Sequence, residues 1–248
     1  MSKTIIVLDN SAALSRRAAH MIAARARQAI ADRGRFSIAL AGGSTVKTAY
    51  ELLADEPDID WKRVLVFWGD DRFVEPTNPY SNYGLAKAAL LDRVPIPAGN
   101  IYAIDSTAPT PAEGAARYAD TIRKALGSDL PVFDLVQLGM GPDGHTASLF
   151  PGSSALDSSA IVAANHAGLA PWVDRVTFTF PLINAARKVL VLAGGANKAA
   201  HIQQAIENPD ADIHTLPIAG VNPTDGILTW LIDRPAATLL SASTITSS

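Results

Sequence analysis

Short, continuously apolar runs alternate with longer segments of helical periodicity along this chain. Such alternation is typical of βαβ units, in which a helix follows each strand and crosses back over the sheet. Because the runs are apolar at successive positions, both faces of the sheet must be covered. The sequence therefore predicts an α/β fold, with a largely parallel sheet and helices on both faces. We expect strands at about 4–8, 36–41, 64–68, 133–138, 160–164, 175–180, 188–193 and 226–232, and helices at about 10–31, 44–53, 81–91, 111–126 and 197–206.

No stretch of the 248 residues has the composition of a flexible linker. We therefore expect one domain over residues 1–240, followed by a frayed tail, SASTITSS, over residues 241–248. A chain of this length can bury a substantial core without disulfides or metals. The sequence contains no cysteine, which excludes disulfides, thiolate catalysis and cysteine-ligated metal sites.

Charge and hydropathy narrow the classes of partner. The 24 acidic and 21 basic side chains give a formal net charge of -3, so no basic stripe is available for nucleic acid. No apolar run approaches the roughly 18 residues of a membrane span. The apolar run at 4–8 is also too short for the core of a signal peptide. We expect a soluble, cytoplasmic protein without a nucleic-acid or membrane partner.

Three polar, glycine-rich clusters directly follow predicted strands, and ligands bind at the carboxyl ends of the strands in open parallel sheets. The first cluster is Gly42-Gly43-Ser44-Thr45. Its backbone N–H groups and the following helix N-terminus suit an anion, although a strand-to-helix turn with an ordinary Ser or Thr cap is the alternative. The cluster lacks the lysine of a P-loop and the spacing of the dinucleotide fingerprint, so no nucleotide is implied.

The second cluster, Asp70-Asp71-Arg72, follows the strand that ends at Trp68. Arg72 could bind a phosphate or stabilise a developing oxyanion, and one carboxylate could orient or activate a water or a histidine. A solvated loop is the alternative. Mg²⁺ at the two acids is conceivable, but nothing else in the sequence supplies an oxygen cage for it.

The third cluster runs from Gly139 to Pro151 and displays His145 after Gly144, at the end of a strand and the start of a predicted helix. Histidine is suited to proton transfer near neutrality. Asp143 could hold the imidazole or shape the loop through an Asx turn. A structural histidine is the alternative. Ser148 lies outside any G-x-S-x-G elbow, so we expect it in the helix after the loop and not as a nucleophile.

Two later cations, Arg175 and Lys198, lie at the start of a strand and of a helix. Each could be an ordinary solvated cation. With Gly43 and Ser44 they could instead form a phosphate cradle. The remaining histidines lack comparable settings, and no histidine spacing suggests zinc.

Together these motifs resemble those of the 6-phosphogluconolactonases. The matching segments are Leu40 to Thr45, Trp68 to Val74, Ser81 to Gly84, Gly139 to Pro151, Arg175 to Phe178, Asn184 to Arg187 and Gly194 to Lys198. The resemblance spans about Leu8 to Trp230. It implies a single-domain, Rossmann-like enzyme of the oxidative pentose phosphate pathway that hydrolyses 6-phospho-D-glucono-1,5-lactone to 6-phospho-D-gluconate. It also implies no metal and no organic cofactor. We expect a monomer whose partner is the small phosphosugar lactone.

The resemblance also implies roles for individual residues. His145 would be the general base that activates water, while Asp70 and Arg72 would orient the catalytic groups and stabilise charge. Five residues would hold the phosphate, namely Gly43, Ser44, Thr45, Arg175 and Lys198, and Asn82 would lie near the sugar. The other expected substrate contacts are Gly42, Gly141 and Asp143. The family usually has Asp-Glu-Arg where this chain has Asp70-Asp71-Arg72. The role of Asp71, one methylene shorter, is therefore open.

Two other functions fit part of the pattern. Glucosamine-6-phosphate deaminases have a similar phosphate loop and an Asp-Gly-His loop, but their acidic motif ends in Tyr where this chain has Arg72. They also carry an acid shortly after the histidine, whereas residues 146–151 contain none. A non-catalytic sugar-phosphate-binding protein would keep only the cradle, so Asp70, Arg72 and His145 favour an enzyme.

Overall fold

The computed structural model describes residues 2–246, and a six-stranded parallel sheet forms its centre. The strands are β1 (Ser2–Leu8), β2 (Phe36–Leu40), β3 (Val64–Trp68), β4 (Asp70–Arg72), β5 (Leu135–Gly139), β6 (Val162–Asn165), β7 (Arg175–Phe178), β8 (Lys188–Ala193) and β9 (Ile227–Asp233). The parallel sheet has the order β1-β9-β8-β5-β2-β3. This order places the loop after β5 between the loops after β2 and β8.

Helices cover both faces of the sheet, which confirms the predicted fold class. They are α1 (Ser11–Arg33), α2 (Ser44–Leu53), α3 (Asn82–Ala89), α4 (Pro111–Leu126), α5 (Phe180–Asn184), α6 (Ala199–Glu207) and α7 (Ala242–Thr246). Helices α1, α2 and α3 pack on one face, and α4, α5 and α6 on the other. None of these helices is long and apolar enough to cross a membrane.

Each face of the parallel sheet has its own apolar core. Successive residues of a strand point to opposite faces, so Leu40 packs in one core and Ala39 in the other. Trp68 and Phe67 divide in the same way at the end of β3. Continuous apolar strands are therefore required here, as the sequence pattern indicates.

The helix ends follow the residues that the sequence supplies for capping. The Asn10 side chain accepts a hydrogen bond from the Ala13 N–H at the start of α1, and Gly34 ends that helix with a left-handed backbone. Thr110 caps α4 in the same way, with Pro111 at the first helical position.

A second, three-stranded antiparallel sheet, in the order β4-β7-β6, was not predicted. Its strand β4 is the acidic cluster itself, in a segment that the sequence indicates to be a loop. Asp70 lies opposite Thr177, and Arg72 lies opposite Arg175. The sequence gives no sign of this strand because β4 is only three polar residues long and pairs with a segment about a hundred residues away.

Two other expectations differ from the structure. No helix follows His145: residues 142–149 form turns closed by a bridge between Thr146 and Leu149. At the chain end, where a frayed tail was expected, residues 242–246 form α7 and the Glu207 carboxylate accepts hydrogen bonds from Ser241 and Thr244. Residues 247 and 248 of that tail lie outside the described residues.

Candidate active site

The three polar clusters meet in a cleft of about 250 Å³ at the carboxyl edge of the parallel sheet. Of the predicted site residues, the cleft is lined by Gly42, Gly43, Ser44, Thr45, Asp70, Arg72, Asn82, Gly141, His145 and Lys198, together with Ala41, Val46, Gly139, Met140, Ala147 and Leu192. The loops after β2, β3, β5 and β8 thus supply one site from segments that are far apart in sequence.

The glycine turn after β2 presents backbone to the cleft. Gly43 is the N-cap residue of α2, with φ +118°, a backbone conformation that L side chains rarely adopt. No side chain caps this helix, so the ordinary Ser or Thr cap considered above is absent. The uncapped first turn of α2, with Ser44 and Thr45 on the cleft wall, therefore suits an anionic group.

A buried hydrogen-bond network supports this turn from below. The Ala41 N–H donates to the Tyr50 hydroxyl oxygen at 3.0 Å and to Gln137 Oε1 at 3.1 Å. Gln137 Nε2 donates in turn to the Leu138 carbonyl on β5. Tyr50 and Gln137 are fully buried, so these bonds fix the residue that precedes Gly42.

Strand β4 sends its side chains alternately into and away from the cleft. Asp70 and Arg72 line it, whereas Asp71 points to α3. There the Asp71 carboxylate accepts the backbone N–H groups of Asn82 at 2.6 Å and Tyr83 at 2.8 Å. Asp71 therefore accepts the first two backbone N–H groups of α3, whose N-cap residue is Ser81, which accounts for an acid at this position without a role in the cleft.

Burial raises the pKa of Asp71 to about 6, against the opposing effect of these backbone hydrogen bonds. The neighbouring charge of Asp70 acts in the same direction as burial.

The guanidinium of Arg72 is anchored on one side and free on the other. Its Nη1 donates to the Tyr80 carbonyl at 2.6 Å and to Asn82 Oδ1 at 3.0 Å. Asn82 Nδ2 donates to the Asp70 carbonyl oxygen at 2.9 Å, so Asn82 joins α3 to β4. The buried Nε of Arg72 has no hydrogen-bond partner in the described part of the chain. Its Nη2 makes no hydrogen bond to the described residues, so Arg72 retains a donor group for a ligand in the cleft that it lines.

His145 is held by Asp143 in both of the ways considered from the sequence. Asp143 Oδ1 lies 2.5 Å from His145 Nδ1 and also accepts the His145 backbone N–H at 3.2 Å. Burial acts to raise the pKa of Asp143, but the hydrogen bonds and charge of His145 outweigh it, so the pKa is lowered overall. With Nδ1 engaged, Nε2 is the ring nitrogen that remains for a ligand.

Lys198 approaches the cleft from the opposite side of the His145 loop. The Gly194-Gly195 turn before it is held by Asp233, whose Oδ1 accepts the Gly195 N–H at 3.0 Å. Burial lowers the pKa of the Lys198 ammonium, and the charge of Asp233 opposes this effect. The lysine thus offers a partly desolvated cation, which strengthens its attraction for an anion.

Arg175 is not placed as expected, because it is absent from the cleft wall. The residue is 3% exposed, and its guanidinium donates to the carbonyls of Val173 and Pro171. It also lies 5.9 Å from the centre of the Phe150 ring. Arg175 sits opposite Arg72 on β7 and therefore on the same face of the antiparallel sheet, but its hydrogen bonds to the 171–173 segment keep it off the cleft wall.

A set of buried residues supports the site through polar groups, a role that was not predicted from the sequence: Tyr50, Gln137, Ser148, Thr177 and Asp233. Gln137 could have been found, since a glutamine within an apolar strand needs buried partners. The others give no comparable signal. Within residues 2–246, no group of three or more His, Asp or Glu side chains is arranged to hold a metal ion.

Comparison with known proteins gives this arrangement a context. Residues 9–230 match the family model described as glucosamine-6-phosphate isomerases/6-phosphogluconolactonase. The chain belongs to this family. A family member from Nostoc sp., named 6-phosphogluconolactonase, is 42% identical, and the alignment covers 97% of this chain and all of that relative.

Solved structures show the same relationship. The 6-phosphogluconolactonase from Trypanosoma cruzi superimposes with a TM-score of 0.87 at 31% identity, covering 98% of this chain and 99% of that one. A monomeric glucosamine-6-phosphate deaminase superimposes with a TM-score of 0.81 at 17% identity, covering 95% and 99%. At that identity the second likeness concerns the fold alone.

Proposed function

We propose that this chain is a 6-phosphogluconolactonase, which hydrolyses 6-phospho-D-glucono-1,5-lactone to 6-phospho-D-gluconate in the oxidative pentose phosphate pathway. The observation that carries the proposal is the shared cleft. An imidazole held through Nδ1 by Asp143 lies in the same cavity as an uncapped helix N-terminus and a lysine. The similarity to relatives named 6-phosphogluconolactonase supports the same substrate.

Binding begins with the phosphate dianion. The N–H groups of the Gly43 turn and the Lys198 ammonium flank the His145 loop and together neutralise the phosphate. Asn82 lies near the sugar hydroxyls, and Gly42 and Gly141 form the adjacent cleft walls. Arg175 is left out of these contacts because its guanidinium is bonded to backbone carbonyls outside the cleft.

The chemistry is the addition of water to the lactone carbonyl. His145 Nε2 accepts a proton from water as the water oxygen attacks C1, and the carbonyl oxygen becomes an oxyanion. The guanidinium of Arg72 stabilises that oxyanion, and Asp70 orients the groups around it. When the oxyanion collapses, the bond from C1 to the ring oxygen breaks, and the imidazolium returns its proton to the leaving alkoxide. A lactone is an activated ester, so these reaction steps require no covalent nucleophile and no metal.

Asp143 holds the imidazole in the orientation that exposes Nε2 to the attacking water and stabilises the imidazolium that forms. The enzyme acts, on this proposal, as a cytoplasmic monomer without a nucleic-acid partner. Gel filtration tests the oligomeric state: elution at the mass of one chain supports a monomer, and elution at the mass of a dimer contradicts it.

The test uses purified protein and two substrates. With 6-phospho-D-glucono-1,5-lactone, acid release above the spontaneous rate is expected, and with glucosamine 6-phosphate, no ammonia release is expected. Ammonia release would indicate a deaminase. Tight binding of 6-phosphogluconate without turnover of either substrate would indicate a non-catalytic sensor.

A further inference from the structure

Ser148 occupies a position that the catalytic proposal does not use. Its side chain is 1% exposed, and it is absent from the cleft wall. Its hydroxyl donates to Asp70 Oδ2 at 2.7 Å, the distance of a strong hydrogen bond to a charged acceptor. A buried hydroxyl whose proton is already given to a carboxylate is poorly placed as a nucleophile. Its effect must instead pass through Asp70.

The backbone of Ser148 is fixed as firmly as its hydroxyl. Its N–H donates to Thr177 Oγ1 at 3.1 Å, and its carbonyl accepts from Asn165 Nδ2 at 2.7 Å. Thr177 is the residue opposite Asp70 across β4 and β7. Ser148 is thereby bonded to all three strands of the antiparallel sheet.

Ser148 is only three residues from His145, and the segment between them is tightly held. The Thr146 hydroxyl donates to the Gly139 carbonyl at 2.9 Å. Ala147 has φ +48°, a left-handed conformation that is uncommon for a residue with a side chain. Such a conformation persists where its neighbours are fixed, as they are here on both sides.

We propose that Ser148 is a positioning residue that sets the distance between the Asp70 carboxylate and the His145 loop. This inference rests on the proposed lactonase function and extends it. One side chain links the parallel sheet, which carries His145, to the antiparallel sheet, which carries Asp70 and Arg72. Its loss should therefore slow the chemical step and leave phosphate binding nearly unchanged, since neither the Gly43 turn nor Lys198 contacts it.

The test compares Ser148→Ala with a matched variant at the other end of the sheet. Ser37 is also buried and its hydroxyl donates to a buried carboxylate, that of Asp134, away from the cleft. Ser148→Ala should lower kcat on the order of 10–100-fold with KM within about threefold, because small displacements of catalytic groups are costly. Ser37→Ala should lower the melting temperature and leave kcat within about twofold, because it removes only two buried hydrogen bonds, both to Asp134 and away from the cleft.

A double-mutant cycle shows whether Ser148 acts through Asp70. In an Asp70→Asn background, adding Ser148→Ala should lower kcat by no more than about threefold, since the carboxylate it positions is already gone. An equal loss in both backgrounds would overturn the inference, as would a folded Ser148→Ala that keeps more than half of the wild-type kcat.

If Ser148→Ala does not fold, Ser148→Cys replaces the hydroxyl by a thiol, which fills the site but is only a weak hydrogen-bond donor. This variant must lower kcat at least about fivefold. A Ser148→Cys variant with unimpaired kcat overturns the positioning role of Ser148. A wild type without lactonase activity would overturn the proposed function and this role together. An active wild type with unimpaired Ser148 variants would overturn the role of Ser148 alone.

Discussion

The two sheets contribute to the cleft in different ways. The parallel sheet supplies glycine turns whose backbone and uncapped helix end line the cleft and suit an anion, as in Gly43 at the start of α2. The antiparallel sheet supplies charged side chains, Asp70 and Arg72, which buried partners hold in place. A backbone cradle suits a group that is bound and does not change during the reaction. Side chains suit the carbonyl, where charge develops.

His145 stands between the two regions, and its substitution should have the largest effect. His145→Ala should lower kcat by about 10²–10⁴-fold with KM nearly unchanged, because the phosphate contacts lie elsewhere. Initial rates, corrected for spontaneous lactone opening, measure this loss. His20→Ala, at an exposed histidine on α1, is the control and should retain full activity. A folded His145→Ala that kept more than about a tenth of kcat would contradict its role as a general base.

Removing the phosphate from the substrate should isolate the parallel-sheet half of the cleft. Charge-assisted hydrogen bonds contribute roughly 1.5–3 kcal/mol each, so losing two or three should lower kcat/KM for glucono-1,5-lactone on the order of 10³-fold. Steady-state kinetics on both lactones gives the ratio. Comparable efficiency on the two substrates would show that the glycine turn and Lys198 do not form a phosphate cradle.

Asp71, on the antiparallel sheet, should make the free energy of unfolding depend on pH. The folded-state pKa of Asp71, raised by burial to about 6 from an ordinary 3.8, means that the native protein holds this proton more tightly than the unfolded chain. This stabilisation is complete below about pH 4 and is lost as the pH rises through about 6. From pH 4 to pH 7, the unfolding free energy of wild type relative to Asp71→Asn should therefore fall by on the order of 2–3 kcal/mol.

Urea unfolding across that pH range measures the difference. Asp9→Asn, at an exposed carboxylate paired with Arg234, provides the baseline for removing a surface charge. A relative stability of wild type that stayed constant or increased with pH would contradict a buried, proton-retaining Asp71.

Substitutions at the adjacent glycines Gly42 and Gly43 should have smaller effects on the kinetics, and they should distinguish the contribution of the parallel sheet from that of the antiparallel sheet. Gly43→Ala forces a side chain onto φ +118° with nothing within 4 Å, so it strains the turn and should raise KM about tenfold. Gly42→Ala places a methyl group 1.9 Å from Asn82 Oδ1, the partner of Arg72, so it should lower kcat more than it raises KM. Gly127→Ala, also at a positive φ with open space but at the end of α4, should change neither. Identical kinetic changes in the Gly42 and Gly43 variants would break the division between the sheets.

The same contrast explains which features could be predicted from the sequence. The glycine turn at Gly43 and the capped ends of α1 and α4 depend on neighbouring residues, so local patterns were sufficient. Strand β4 depends on pairing with β7, and the burial of Arg175 depends on that pairing. Three polar residues carry no periodicity that reveals such a partner.

The candidate site divides along the same line. The shared cleft of the three clusters follows from the rule that strands of a parallel sheet end at one edge, and the structure brings them together. The buried hydrogen bonds that hold the site residues in place do not follow from that rule. The hydrogen bonds from the first N–H groups of α3 to Asp71, and from Ser148 to Asp70, depend on which segments are adjacent in space.

A crystal structure of the complex with 6-phosphogluconate would test the division of labour between the sheets most directly. We expect the phosphate oxygens within hydrogen-bond distance of the Gly43 turn and of Lys198 Nζ. The product carboxylate should lie beside His145 Nε2 and the guanidinium of Arg72. The opposite orientation, with the phosphate on Arg72 and the carboxylate against the glycine turn, would contradict the account.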